Sequence, residues 1–315
     1  MVPPAAFTSY YGRPVVKASP WKADIPAYLF LGGLAAGSSL LAAGADLTDL
    51  PELRRVARLG ALAGAAAGLA ALIHDLGRPE RLFNMMRTAK PTSPMSMGTW
   101  ILASFGPMAS LAGGAELAAM LPRRIPIAGR LLSLGARPAG LIAGAIAPAL
   151  ASYTGVLLSD TATPAWHAAA GELPYVFAAS AAASAGGLAM LGASVEQAAP
   201  ARRMAVGGAL LALGMERRME RSMGISAETL RRGKAARLMD ASRALTVGGA
   251  LGTIALGARH PVAARVAGAS LLVGSACTRF AIFEAGQASA REPRYTVVPQ
   301  RERLEASAIG DPRGR

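Results

Sequence analysis

Three histidines, a single cysteine, and a few acids, arginines and tyrosines set in apolar stretches are the groups in this chain that could do chemistry. Histidines facing each other inside a helical bundle would hold a b-type haem. His74, His167 and His260 instead fall at the ends of apolar runs or in the gaps between them, so haem ligation is not expected. Cys277 stands alone, which excludes a disulfide framework and any iron–sulphur cluster held by this chain by itself. No histidine lies beside it, and a cysteine in so apolar a stretch usually serves packing. No set of His, Cys and carboxylate residues has the spacing of a metal site. The segment GGLAAG lies inside an apolar run rather than between a strand and a helix, so it is not a phosphate loop. No residue is assigned a catalytic role on these grounds.

Ionisable groups within apolar runs are better leads. Glu116 sits in LAGGAELAAML. A charge at the centre of a membrane helix costs about 2.5–3.5 kcal/mol on insertion scales. Glu116 therefore needs a partner, a water pocket or a proton, unless it lies near the interface and snorkels, and it is a candidate for proton handling. Arg279 and Glu284, five apart in the last apolar run, are expected to offset each other. Tyr28 lies a turn inside the first run and Tyr153 lies in ALASYTGVLLSD, at positions where tyrosine commonly anchors a helix at head-group level. Asp75 and Asp160 each end a run and can pair with loop arginines or cap neighbouring helices.

The elements that position these groups follow from composition. The chain has 315 residues, 52% hydrophobic and 17% charged, with 36 glycines, against about 25% charged residues in soluble domains. An Ala-rich soluble bundle would bury little area per residue, whereas small residues suit membrane helices. Runs at 25–45, 54–74, 97–121, 138–159 and 174–195 meet the roughly 17–25 residues of a span. Shorter runs cover 201–216 and 243–258, and a last one covers 261–286. The fold class expected is an all-α integral membrane protein with about eight transmembrane helices, arranged as two four-helix bundles. Residues 1–24 form a polar segment without an apolar leader region, so the first run should be a retained helix. Helices one to four fill 25–160, helices five to eight fill 161–286, and 287–315 is a solvated, partly disordered tail. IPAYLFLGGLAAGSSLL from Ile25 and LPYVFAASAAASAGGLAML from Leu173 resemble each other, which hints at two related halves.

The net charge of +14 does not form the single stripe of a nucleic-acid binder. Lys and Arg sit in the gaps between apolar runs, as in a multi-pass membrane protein. With eight spans, 21 of them fall on the side of both termini and 11 on the other. This bias places both termini in the cytoplasm of a plasma-membrane protein.

DLGRPERLFNMMRTAKPTSPMSMGTW at 75–100, YLFLGGLAAGSSLLAAG at 28–44 and ASYTGVLLSDTATPAWH at 151–167 resemble the NrfD/polysulphide-reductase membrane-subunit family. The resemblance spans essentially the whole chain and is closest over helices one to four. It implies an eight-helix subunit without haem that binds a quinone, menaquinone or ubiquinone. Its partners would be an iron–sulphur subunit with four clusters and, through that, a molybdopterin catalytic subunit. Tyr153 matches a tyrosine that hydrogen-bonds the quinone. Tyr28 falls where relatives place a histidine, which keeps a hydrogen-bonding ring but loses an imidazole. Asp75 and Arg78 match the DLGRP motif and would shape the quinone mouth or the docking surface. The basic loop with Arg78, Arg81, Arg87 and Lys90, stiffened by prolines, suits an acidic protein partner. Well-known relatives dock that partner on the outer face, opposite to the side the charge count gives. Two other readings stay open at this point: a secondary transporter or ion-conducting protein, which the half repeat, the short runs and Glu116 would serve, and a structural anchor without quinone.

Overall fold

The computed structural model describes residues 13–78, 80–121 and 126–310. Residues 1–12, Pro79 of the DLGRP run, Arg123 and Arg124 of the charge count, and Arg313 and Arg315 at the end lie outside them. Among the described residues the chain is helical, with no strand. In order come α1 (Asp24–Leu47), α2 (Pro51–Leu76), a short α3 (Arg81–Met85), α4 (Pro94–Met120) and α5 (Pro126–Ser159). A short α6 (Pro164–Ala168), α7 (Leu173–Gly192) and α8 (Ala199–Ser222) follow. A 3-10 segment (Gly224–Arg231), α9 (Gly233–Ala255), α10 (Pro261–Arg291) and α11 (Arg294–Gly310) complete the chain.

Six of these helices are long and apolar enough to cross a membrane: α1, α2, α4, Leu132–Ser159 of α5, α7 and α10. The short runs at 201–216 and 243–258 lie in α8 and α9, which extend to 24 and 23 residues. Their extra turns carry charged side chains such as Arg217, Arg218 and Lys234, which hid the helix length from an apolar-run count.

Proline in the first turn opens α2, α4, α7, α8 and α10, where its missing N–H costs nothing. Gly77 closes α2 with φ +66°, a left-handed conformation that a β-carbon would strain. α1 packs on α2 and α5, and α4 packs on α5 and α2. The same pattern recurs later: α7 packs on α8 and α10, and α9 on α10 and α8. The two sets meet where α1 lies against α7, the helices that begin with the similar stretches at Ile25 and Leu173. Small residues make that meeting close. A β-carbon on Gly37 would fall 2.7 Å from the Ala181 carbonyl oxygen. Dispersion between closely approaching backbones, rather than large side chains, then holds the helices together.

One expectation is corrected. Arg279 and Glu284 do not pair, because five residues on a helix are roughly 140° apart around its axis. Arg279 is fully buried, donates from Nη2 to the Phe177 carbonyl at 2.7 Å and stacks 3.9 Å over that ring. Glu284 takes Lys234 of α9 at 2.7 Å. The C-terminal tail carries a helix of its own, α11. Arg294 anchors its start on Glu228 and Glu292, and Tyr295 is buried there.

Polar contacts mark the two ends of the assembly. At one end, Asp24 meets His74 at 3.0 Å and Glu172 meets Arg218 at 3.2 Å. At the other, the α1–α2 turn meets the α7–α8 turn, where Glu52 accepts from the Ser194 N–H at 3.1 Å.

Candidate functional site

A cavity of about 590 Å³ lies among α1, α2, α4 and α5, within the range of small-molecule sites. Its wall is mostly apolar, with Leu69 and Leu72 from α2 and Leu102 and Pro107 from α4. Along α2 it reaches from Asp75 back to Ala65, about 15 Å at a helical rise of 1.5 Å per residue. Met85, Met86 and Met95 line the Asp75 end, and Trp21 closes one side. Leu69 and Met95 belong to this lining and are exposed.

Tyr28 and Tyr153 meet at this cavity and share a hydrogen bond between their hydroxyls, in which either can be the donor. They come from α1 and α5, 125 residues apart, so only the packing of α1 on α5 brings them together. Tyr28 is buried and Tyr153 is partly buried. The Tyr153 ring lies over Gly98 of α4, where any β-carbon would overlap it. Gly98→Val is therefore expected to push the Tyr153 ring aside, at a cost of about 1–3 kcal/mol from overpacking. A lowered thermal unfolding midpoint of the purified variant, with weaker ligand binding, is the expected result. An unchanged midpoint with unchanged binding would show that the ring does not rest there.

Asp75 also lines the cavity, near the end of α2, and accepts a hydrogen bond from the backbone N–H of Lys22. Arg78 does not line it. Gly77 turns the chain away at the end of α2, and Arg78 is exposed on the connector beyond. The other basic residues there divide. Arg81 donates from Nη1 to the Leu76 carbonyl at 3.0 Å, closing off the C-terminus of α2. Arg87 and Lys90 are exposed. Their backbone is held by Ser96, whose Oγ accepts from the Lys90 N–H and donates to the Thr88 carbonyl, both at 2.9 Å. By contrast, several arginines beyond α7 are paired with acids, among them Arg218 with Glu172, Arg231 with Glu220 and Arg232 with Glu228. The α2–α4 connector thus presents cations that no described acid neutralises.

Glu116 lies at the far end of the same helices. Of the three conditions that would let it sit there, the structure supplies a partner. Its Oε1 accepts from Arg58 Nη1 at 3.0 Å and from Arg54 Nε at 3.1 Å. Arg58 reaches on to Asp46 and to the Ala136 carbonyl. Asp46, Arg58 and Glu116 are all buried. The missing side chain of Gly140 leaves room for the Arg58 guanidinium.

Among the described residues no group of three His, Cys, Asp or Glu side chains could hold a metal ion. His74 faces Asp24, and His167 faces the Ser159 carbonyl at 3.1 Å. The site has two tyrosine hydroxyls and a carboxylate bordering a long apolar channel. Such a set can hydrogen-bond the polar head of a molecule whose remainder is hydrocarbon.

The sequence profile of the polysulphide reductase, NrfD family matches residues 15–212. The chain belongs to this family. No curated protein matches it. The NrfD match takes in α1 to α7 and therefore every helix that lines the cavity. The family places the chain among the multi-pass membrane subunits of polysulphide-reductase-like complexes, and its members generally partner with iron–sulphur and molybdopterin subunits. Trp21, Gly98 and the three methionines were not singled out in the sequence. Gly98 and the methionines do fall inside the 75–100 motif, but Trp21 carries no signal beyond an aromatic ring just ahead of the first helix.

Proposed function

We propose that this NrfD-family chain binds a quinone in the Tyr28–Tyr153 cavity and exchanges electrons with a docked iron–sulphur subunit. The observation that carries the reading is the pair of tyrosine hydroxyls in a 590 Å³ cavity that is otherwise nearly all hydrocarbon. A quinone carbonyl needs a donor in such surroundings, and a tyrosine hydroxyl is one. The methyl-rich channel between α2 and α4 suits an isoprenoid tail, menaquinone or ubiquinone, arriving from the lipid. Asp75 and the tyrosines border the head-group, which gains two electrons and two protons on reduction, one proton at each carbonyl oxygen.

In this reading all eight long helices cross the plasma membrane, as two four-helix bundles with the quinone site in the first. α8 and α9 cross despite their charges because those charges face acids within the protein or lie at the ends. Both termini lie on the cytoplasmic side. The connector bearing Arg78, Arg81, Arg87 and Lys90 docks an acidic face of the iron–sulphur subunit, whose four clusters lead to a molybdopterin subunit. Glu116 handles protons only together with Arg54 and Arg58, which hold its charge.

The direct test is a titration of the purified chain in detergent with a short-tailed quinone, read by tryptophan fluorescence, since Trp21 borders the cavity. Saturable quenching is expected, weakened in a Tyr28→Phe/Tyr153→Phe double variant. Quenching that rises linearly with quinone and is the same in both proteins would overturn the reading.

A further inference from the structure

Between Arg13 and Lys22 the chain has no regular secondary structure, yet it forms a wall of the cavity through Trp21. Irregular backbone does not pair its carbonyls within itself, so side chains or water must satisfy them. The holder is α10. Gln287 is buried, and its Nε2 donates to the Ser19 carbonyl at 3.0 Å and to the Trp21 carbonyl at 3.2 Å. One side-chain amide thus fixes two carbonyls two residues apart, and with them the direction of the Trp21 side chain.

The indole of Trp21 is held as well. It stacks on Trp166 of α6, with ring centroids 5.9 Å apart and planes at 28°. Trp166 is itself locked. Its Nε1 donates to the Ile282 carbonyl at 2.8 Å, Phe283 packs against its ring, and its indole fills the space left by Gly286. At the other edge, the Lys22 N–H donates to Asp75, and Asp24 meets His74. Residues 19–24 therefore form a strap from α10 and α6, in the second set of helices, to α2 at the cavity. Gln287 and Gly286 both lie beyond the 15–212 region that matches the family.

We propose that Gln287, supported by Trp166, is a positioning residue for this cavity: it pins residues 19–21 so that Trp21 closes the wall beside Tyr28. The inference rests on the quinone reading for its ligand, but not for the strap itself. Without the Gln287 amide, two part-buried carbonyls lose their side-chain donor and the strap loosens. Trp21 leaves the wall, while the Tyr28–Tyr153 pair on α1 and α5 stays in place. Ligand affinity then falls more than the rate of the bound complex, because the reacting groups are untouched.

The test uses the full chain with Gln287→Leu, which keeps the volume and removes the donor. Two readouts are taken: hydrogen–deuterium exchange of the peptide covering residues 17–24, and the Kd for a short-tailed quinone by calorimetry. Exchange about tenfold faster in that peptide and a Kd raised about tenfold are expected, the loss of one to two ordinary hydrogen bonds. In the assembled complex KM for quinol should rise with kcat changed less than twofold. Unchanged exchange in the strap would show that Gln287 does not pin it. Faster exchange with unchanged Kd would show that the strap has no positioning role. Absence of quinone binding by the unaltered chain would overturn the cavity reading, and the exchange result would still decide the pinning. Should Gln287→Leu fail to fold, Trp21→Ala removes the wall and leaves α10 intact; the same rise in Kd is expected, and an unchanged Kd sinks the proposal.

Discussion

Tyr153→Phe is expected to lower quinone-linked turnover of the assembled complex roughly 10- to 150-fold, as a hydrogen bond to a charged group contributes about 1.5–3 kcal/mol. The change removes one oxygen and leaves the ring over Gly98, so the cavity keeps its shape. The loss should fall mainly on kcat. A neutral quinone carbonyl accepts only an ordinary hydrogen bond, whereas the carbonyl gaining electrons accepts a much stronger one. A donor whose contribution grows during the reaction lowers the barrier rather than the ground state. The Kd for oxidised quinone should therefore rise only a few-fold. Tyr28→Phe should act in the same direction, because each hydroxyl is the other's partner. For the same reason the double variant should fall short of the product of the two single effects. Normal turnover of Tyr153→Phe in a fully assembled complex would remove Tyr153 from the site.

Much of this arrangement is legible in the chain, and the parts that are not share a physical cause. Apolar runs and their proline starts mark the long helices, since a helix in lipid must satisfy its backbone internally and present hydrocarbon outward. The family motifs bring Tyr28, Tyr153 and Asp75 forward, and all three line one cavity. The cavity itself is not legible, because it is the space that four helices fail to fill. Arg279 and Glu284 were misjudged because proximity along a helix is not proximity around it. Glu116 could be read only as needing a partner, a water pocket or a proton, since Arg54 and Arg58, which settle it as a partner, belong to another helix. Trp21 was missed because what fixes it, Gln287, is 266 residues away.

The second large effect is expected at the opposite end of the same helices. Arg58 joins α2 to α1 through Asp46, to α4 through Glu116 and to α5 through the Ala136 carbonyl. Its position means that the four helices lining the cavity share one guanidinium. Among the described residues, Arg58→Ala leaves two buried carboxylates facing only Arg54 and Arg55, and Arg54 lies 3.8 Å from Asp46. Breaking a buried ion pair on one side costs about 3–5 kcal/mol, a large share of the roughly 5–15 kcal/mol by which most domains are stable. A sharp fall in folded yield, with a lower thermal unfolding midpoint for whatever is recovered, is the expected outcome. Arg58→Lys should restore only part of it, because one ammonium cannot reach both carboxylates and a carbonyl with the fork geometry of a guanidinium. Neutralising the acids together with the arginine, as Asp46→Asn/Arg58→Met/Glu116→Gln, should recover more of the lost stability than the lysine does, since no buried charge then lacks a partner. An Arg58→Ala protein with the unfolding midpoint of the unaltered chain would mean that water, not Arg58, balances Asp46 and Glu116. The helices around the tyrosine pair would then be held by small-residue packing alone.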